Sequence, residues 1–204
     1  MTPEILDWKS SPYKSEEEYL FALWLDDVAK HGYIKEYKYE ESSWSLSPKD
    51  TFFYKKRLKT KIKIVERSLI QSHEYGCDFT ITWHDDALGI FFEVPTVNVV
   101  SKDVPFWGHV TNNCSEFTSY VEVKPDWDKN NMTRAFKINQ KWMWMQKKIF
   151  VNLVTPHKGN TCLFAKTFTF DRYRWTDKGT KKRKIHYPVK TIDEYVKEVS
   201  STIS

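Results

Sequence analysis

"SYVEVKPDWD", residues 119–128, decides how the rest of the chain is read. Strand geometry sends Val121 and Val123 to one face and Glu122 and Lys124 to the other. Two opposite charges on one face of a strand whose other face is apolar make either a surface ion pair or part of a site. Downstream, "MTRAFKINQKWMWMQKK" (132–148) reads as a helix and "IFVNLV" (149–154) as a buried strand. Strand, helix and strand in that order predict a parallel β-α-β unit.

Upstream, "CDFTITW" (77–83) alternates, with Asp78, Thr80 and Thr82 on one face and Phe79, Ile81 and Trp83 on the other. "HDDALG" then reads as a turn and "IFFEV" as the returning strand of a hairpin. "SEEEYLFALWLDDVAKH" (15–31) predicts a helix capped by Ser15, with Glu18 at capping-box spacing, an apolar stripe of Leu20, Leu23, Trp24 and Val28, and Gly32 as its stop. Residues 33–46 predict a strand ending near Trp44. In 54–70, Lys59, Lys61 and Lys63 alternate with Thr60, Ile62 and Ile64, which argues strand. Residues 95–117 show no period and read as an insertion. "CLFAKTFTF" (162–170) predicts a further strand, and "TIDEYVKEVSSTI" a C-terminal helix capped by Thr191. The expected architecture is α/β (α+β): one domain over 1–204, with a mixed sheet of four to five strands flanked by helices. Its core spans about 15–155, followed by a basic extension over about 156–204.

The chain has 204 residues and 40 % hydrophobic content, enough for a packed core. Its net charge of +5 permits nucleic-acid binding without requiring it. Three scattered cysteines, Cys77, Cys114 and Cys162, fit a reducing compartment, and the absence of a CxxC pair argues against structural zinc. No apolar run is long enough to span a membrane, and "MTPEILDWKSS" lacks a signal-peptide core. A cytoplasmic location is expected. The sequons at Asn113 and Asn131 are then chance matches.

The carboxylates point to a hard cation. Magnesium takes oxygen ligands, commonly one or two carboxylates. Asp78 and Glu122 can supply them, with the Val123 carbonyl as a further ligand. A bound metal acidifies its water and stabilises charge on a phosphate, and Lys124 would orient that water. Glu18 could hold a second metal or a metal-bound water, with Glu17 an equally acidic neighbour. Gln140 could orient the lysine, the water or a phosphate, and Lys137, one turn earlier, is a similar candidate. Each residue also has a plainer reading. Glu18 can be the capping partner of Ser15, Glu122 and Lys124 a weak ion pair, Asp78 a turn residue and Gln140 a surface polar group. Asp126, Asp128 and the His84–Asp86 group read as solvated turns, and the Trp142–Met145 cluster as helix core. The basic runs "KKRLKTKIK" (55–63) and "KKRK" (181–184) read as solvated faces or as phosphate contacts through Lys59, Lys61, Lys181, Lys182 and Arg183. Tyr173 and Trp175, beside the second run, offer stacking on unpaired bases.

The ordered set of helix glutamate, strand Asp78, "EVK" at 122–124 and helix Gln140 resembles the D…E-x-K core of the PD-(D/E)xK nuclease superfamily. It is most similar to phage-encoded endonucleases that resemble Holliday-junction resolvases, and to the nuclease subunit of Tn7-type transposons. The matching stretches span residues 15–155. Cys77 stands where the motif's name puts proline, and Trp144 where some members have tyrosine. The resemblance implies a restriction-endonuclease-like core and Mg²⁺- or Mn²⁺-dependent hydrolysis of DNA phosphodiesters without a covalent intermediate. It implies a bacterial host cytoplasm for a phage-borne chain. A homodimer is expected if the substrate is a junction with two symmetric scissile sites. The alternatives are an inactive nuclease-fold module for nucleic-acid binding or assembly, and a phage structural protein with incidental carboxylates.

Overall fold

The structure, a computed structural model, describes residues 8–94, 104–110, 116–126, 132–176 and 181–203. The first helix, α1 (Glu16–Lys30), starts where Ser15 turns extended and its Oγ accepts from the Glu18 amide at 3.1 Å. Three acids in its first turn suit the helix dipole. It stops at Gly32, whose φ of 82° lets its amide fold back onto the Ala29 carbonyl. Five strands follow: β1 (Ile34–Tyr39), β2 (Ser43–Ser47), β3 (Asp50–Arg57), β4 (Ile62–Ile70) and β5 (His73–Gly76). Next come β6 (Phe79–Trp83), β7 (Phe92–Glu93), β8 (Phe106–Trp107), β9 (His109–Val110) and β10 (Phe117–Val123). The chain closes with α2 (Met132–Lys147), β11 (Val151–Val154), α3 (Leu163–Lys166) and α4 (Ile192–Ile203).

The central sheet is mixed, in the order β1-β6-β10-β11, with β9 also beside β10. β6 pairs antiparallel with both β1 and β10, whereas β10 and β11 run parallel across the α2 crossover. The protein is therefore a mixed α/β fold with a five-stranded sheet and, among the described residues, four α-helices. Alternation along β6 buries Phe79, Ile81 and Trp83 completely under α1, with Leu20, Phe21, Trp24, Leu25 and Val28 facing them. A second, smaller cluster joins Phe136 and Met143 of α2 to Leu46, Tyr75, Cys77 and Val151. No described helix is long and apolar enough to cross a membrane.

Several expected elements take another form. The 33–46 strand breaks at Glu40, which adopts a left-handed φ of 49°, and β2 leaves the sheet to pair with β5. The 54–70 stretch folds back on itself. Its alternation is real, but the Leu58 amide donates to the Lys61 carbonyl at 2.8 Å and closes a hairpin of β3 and β4. "IFFEV" does not return along β6, because a 3-10 turn at Asp85–Ala87 redirects the chain and β7 pairs parallel with β8. "CLFAKTFTF" is not a strand. Its apolar run suits strand or buried helix alike, and burial of Leu163, Phe164, Phe168 and Phe170 is met by the short α3 and an irregular segment. In the Trp142–Met145 cluster only Met143 is core. Trp142 stacks on His73, while Trp144 and Met145 are exposed. Of the 95–117 insertion, 95–103 and 111–115 lie outside the described residues, as do both sequons, Cys114 and Asp128. The capping expected at Thr191 is complete: its Oγ1 accepts from the Glu194 amide, and the Glu194 carboxylate accepts from the Thr191 amide.

Trp83 fixes the middle of the sheet, since its Nε1 donates to Ser119 Oγ on β10 at 2.8 Å while its ring stacks on Phe91 and Phe92. Trp83→Ala is expected to cost about 3–5 kcal/mol, and Thr191→Ala about 1 kcal/mol, both read from urea unfolding midpoints.

Candidate active site

Residues distant in sequence meet where β6 begins and β10 ends. The register Val121 to Phe79 is the last backbone pair of these two strands. One step further the Asp78 side chain takes over, and its Oδ2 accepts from the Val123 amide at 2.7 Å. Glu122, only 8 % exposed, holds two partners: Tyr75 donates its hydroxyl to Oε2 at 2.9 Å, and Lys124 Nζ lies 2.8 Å from Oε1. Lys124 is itself anchored, its amide donating to the Val154 carbonyl at 2.9 Å.

Glu18 joins from α1. Its Oε2 accepts from the Tyr39 hydroxyl at 2.6 Å and from the Lys14 amide at 2.9 Å. The carboxylate thus turns back one residue beyond Ser15 and takes a tyrosine of β1 as well. Its charge acts on both Asp78 and Lys124. Glu17 points elsewhere, toward His157 Nε2 at 3.7 Å, an interaction that holds the Glu17 carboxyl below its usual range. Of the two candidate acids, Glu18 is the one electrostatically tied to the group.

The electrostatics follow from the Lys124 ammonium bonded to Glu122, with the charges of Asp78 and Glu18 also acting on it. Burial, then the Glu122 charge, push Asp78 up to about 7; the Val123 amide and Lys124 oppose this. Burial alone would lower Lys124, but its bond to Glu122 and the charges of Glu122, Asp78 and Glu18 outweigh burial and hold the ammonium above its ordinary value. Tyr75 is raised by burial and by Glu122, and Tyr39 by burial and its bond to Glu18, so both remain donors. Cys77, beside Asp78, is pushed up to about 12 by burial and is no nucleophile.

Gln140 is not part of this group. Its Nε2 donates to the Val151 carbonyl at 2.6 Å and ties α2 to β11. Lys137 is exposed on the same helix. Lys59 and Lys61 lie in the turn between β3 and β4, and Lys181 is exposed. Lys182 and Arg183 sit over the chain's own Trp175 and Tyr173 rings, at 5.9 and 5.0 Å from the ring centroids. Those faces are therefore covered from within. Asp126 lies against Gly159 on the loop after β11, within 4 Å of a side-chain carbon built there.

Among the described residues no three His, Cys, Asp or Glu side chains are gathered so as to hold a metal. Asp78 Oδ1 and Glu18 Oε1 nonetheless accept no hydrogen bond from any described residue. An acidic, all-oxygen donor set with open lone pairs suits Mg²⁺ or Mn²⁺, which need only one or two carboxylates and keep their waters.

No local sequence pattern marks Tyr75 or Tyr39 as part of the group. Tyr75 stands three residues before Asp78, yet its direction depends on β5 pairing with β2, outside the central sheet. Comparison of the chain with known protein families, characterised proteins and solved structures finds no match.

In metal-free buffer, the raised Asp78 fixes a sign. Between about pH 4 and 7 the folded state binds the proton that the unfolded state has released, so this group makes stability fall as pH rises. Its penalty is absent below the ordinary carboxyl range and complete above about 7. Asp78→Asn is expected to flatten that descent in urea titrations at stepped pH. Tyr75→Phe strips a donor from a buried carboxylate and is expected to cost about 1–3 kcal/mol.

Proposed function

We propose that the protein is a divalent-metal-dependent nuclease of the PD-(D/E)xK kind, hydrolysing phosphodiester bonds in DNA. The observation that carries this reading is the meeting of Asp78, Glu122 and Lys124 at the junction of β6 and β10, with Glu18 beside them. The antiparallel β1-β6-β10 path continuing through α2 into a parallel β11 supports a restriction-endonuclease-like core.

In this reading Asp78 and Glu122 would hold Mg²⁺ or Mn²⁺, with the Val123 carbonyl as a further ligand. The metal, when bound, supplies an acidified water and charge stabilisation at the phosphate. The chain's own residues do the rest. The Val123 amide fixes the Asp78 carboxylate, and Tyr75 fixes Glu122. Lys124, kept as an ammonium by its neighbours, donates to the attacking water and neutralises charge developing on the phosphate. Glu18, held by Tyr39, would accept a hydrogen bond from water entering the site. Gln140 serves the site indirectly by docking α2 on β11. A cytoplasmic, phage-borne enzyme, homodimeric if its substrate is a junction with two symmetric scissile sites, completes the proposal.

The rival reading is a nuclease-shaped binding or assembly module. The retention of Lys124 on Glu122 beside Asp78 favours chemistry. The test uses labelled single-stranded, duplex, flap and four-way-junction DNAs with Mg²⁺, Mn²⁺ or EDTA. Metal-dependent cutting is expected, with Lys124→Ala and Asp78→Ala slowing it at least about 10²-fold. Cutting in EDTA, or full activity of either variant, would exclude the reading.

A further inference from the structure

The hairpin of β3 and β4 stands apart from the sheet. Its strands pair with each other alone and none of their residues is buried. Eight paired residues extend about 27 Å. An isolated two-stranded ribbon is marginally stable in water, and this one exposes Phe53, Ile62 and Ile64 by 65–69 %. Such an arm calls for something to hold.

Charge selects the occupant. Residues 55–63, the distal half, carry Lys55, Lys56, Arg57, Lys59, Lys61 and Lys63 and no acid. That +6 exceeds the net +5 of the whole chain, so the rest sums to −1. No acidic side chain pairs with these six among the described residues. Residues directly opposite in an antiparallel pair share a face. Lys55 and Arg57, opposite Ile64 and Ile62, therefore occupy one face, and Lys56 with Lys63 the other. A flat partner would meet one face only, and a membrane surface would want one face apolar. A groove walled by phosphates on both sides meets both faces. The major groove of B-form DNA, about 12 Å wide, admits a two-stranded ribbon. Single strands are held by aromatic platforms interleaved with cations, whereas the arm's aromatics, Phe52, Phe53 and Tyr54, all lie on the base side of its six cations, away from the tip. A second copy of the arm would be repelled by like charge.

We propose that the β3–β4 hairpin is a duplex-DNA-binding arm that lies in the major groove beside the scissile strand, with its cations on the flanking phosphates. The chain leaves β4 at Ile70, enters β5 at His73 and reaches Asp78 eight residues after the arm ends. Tyr75, in that short link, holds Glu122. The arm is thus joined to the carboxylate group through one short strand, and its role in placing substrate rests on the nuclease reading.

The test is fluorescence anisotropy in EDTA with a 30-base-pair duplex and the matching single strand, over a salt series. The variants replace the six cations with Gln, or the five lysines with Arg. The Gln variant is expected to bind the duplex about 10²–10³-fold more weakly and to lose about 3–5 units of the log–log salt slope. The Arg variant should keep both. Unchanged duplex affinity and slope in the Gln variant would overturn the proposal. So would equal affinity of the natural protein for single strand and duplex. Loss of a dimer in the Gln variant, by sedimentation, without loss of DNA affinity would assign the arm to a second copy and overturn it too. Because binding is read without metal, arm-dependent affinity without cutting in Mg²⁺ would reject the nuclease alone, and cutting with arm-independent affinity would reject the arm alone.

Discussion

The bond from the Val123 amide to the Asp78 carboxylate is the constraint on which the site depends. Backbone pairing between β6 and β10 ends at Phe79 and Val121. Beyond that point the β6 chain turns away, and a strand amide would be left without a partner at partial burial, which is costly. A side-chain oxygen from Asp78 satisfies it. One interaction therefore ends the ladder, fixes a carboxylate and sets it against Glu122 on the neighbouring strand.

Everything else around that bond manages charge. Lys124 pairs with Glu122 and feels the charges of Asp78 and Glu18, and burial raises the cost of ionising Asp78. Lys124 and Tyr75 each bond one oxygen of Glu122, which leaves each oxygen a further lone pair, while Tyr39 and the Lys14 amide share one oxygen of Glu18. The oxygens left open, on Asp78 and Glu18, leave a negative, partly desolvated patch that a divalent cation would relieve. The same bias of the fold appears on a larger scale: the rest of the chain is nearly neutral, and the positive charge is concentrated on a ribbon that leads directly into this patch.

Much of this was legible from local pattern. Ser15 and Glu18 mark α1, and the alternation of Phe79, Ile81 and Trp83 marks β6. The spacing of Glu122 and Lys124 puts them on one face, and the structure joins them at 2.8 Å. The failures came where one pattern served two geometries. The alternating lysines of 59–63 read as one strand, but a tight turn at Leu58–Lys61 makes them the tip of a hairpin. The apolar run at 162–170 suited strand or buried helix, and packing of Phe164 and Phe168 decided. Gln140 reads as a site residue by its position on the helix, yet the Val151 carbonyl of β11 takes its amide.

By itself the sequence determined which residues alternate, where helices are capped and that Glu122 and Lys124 share a strand face, because these depend on neighbours within a turn or a strand. Only the tertiary structure decided that Tyr75 and Tyr39 donate to Glu122 and Glu18, that Glu18 rather than Glu17 acts on Asp78, and that residues 50–70 leave the sheet as an arm. Those outcomes depend on strand pairing between segments tens of residues apart. Pairing is selected by the burial and hydrogen-bond satisfaction of the whole sheet, which no local window contains.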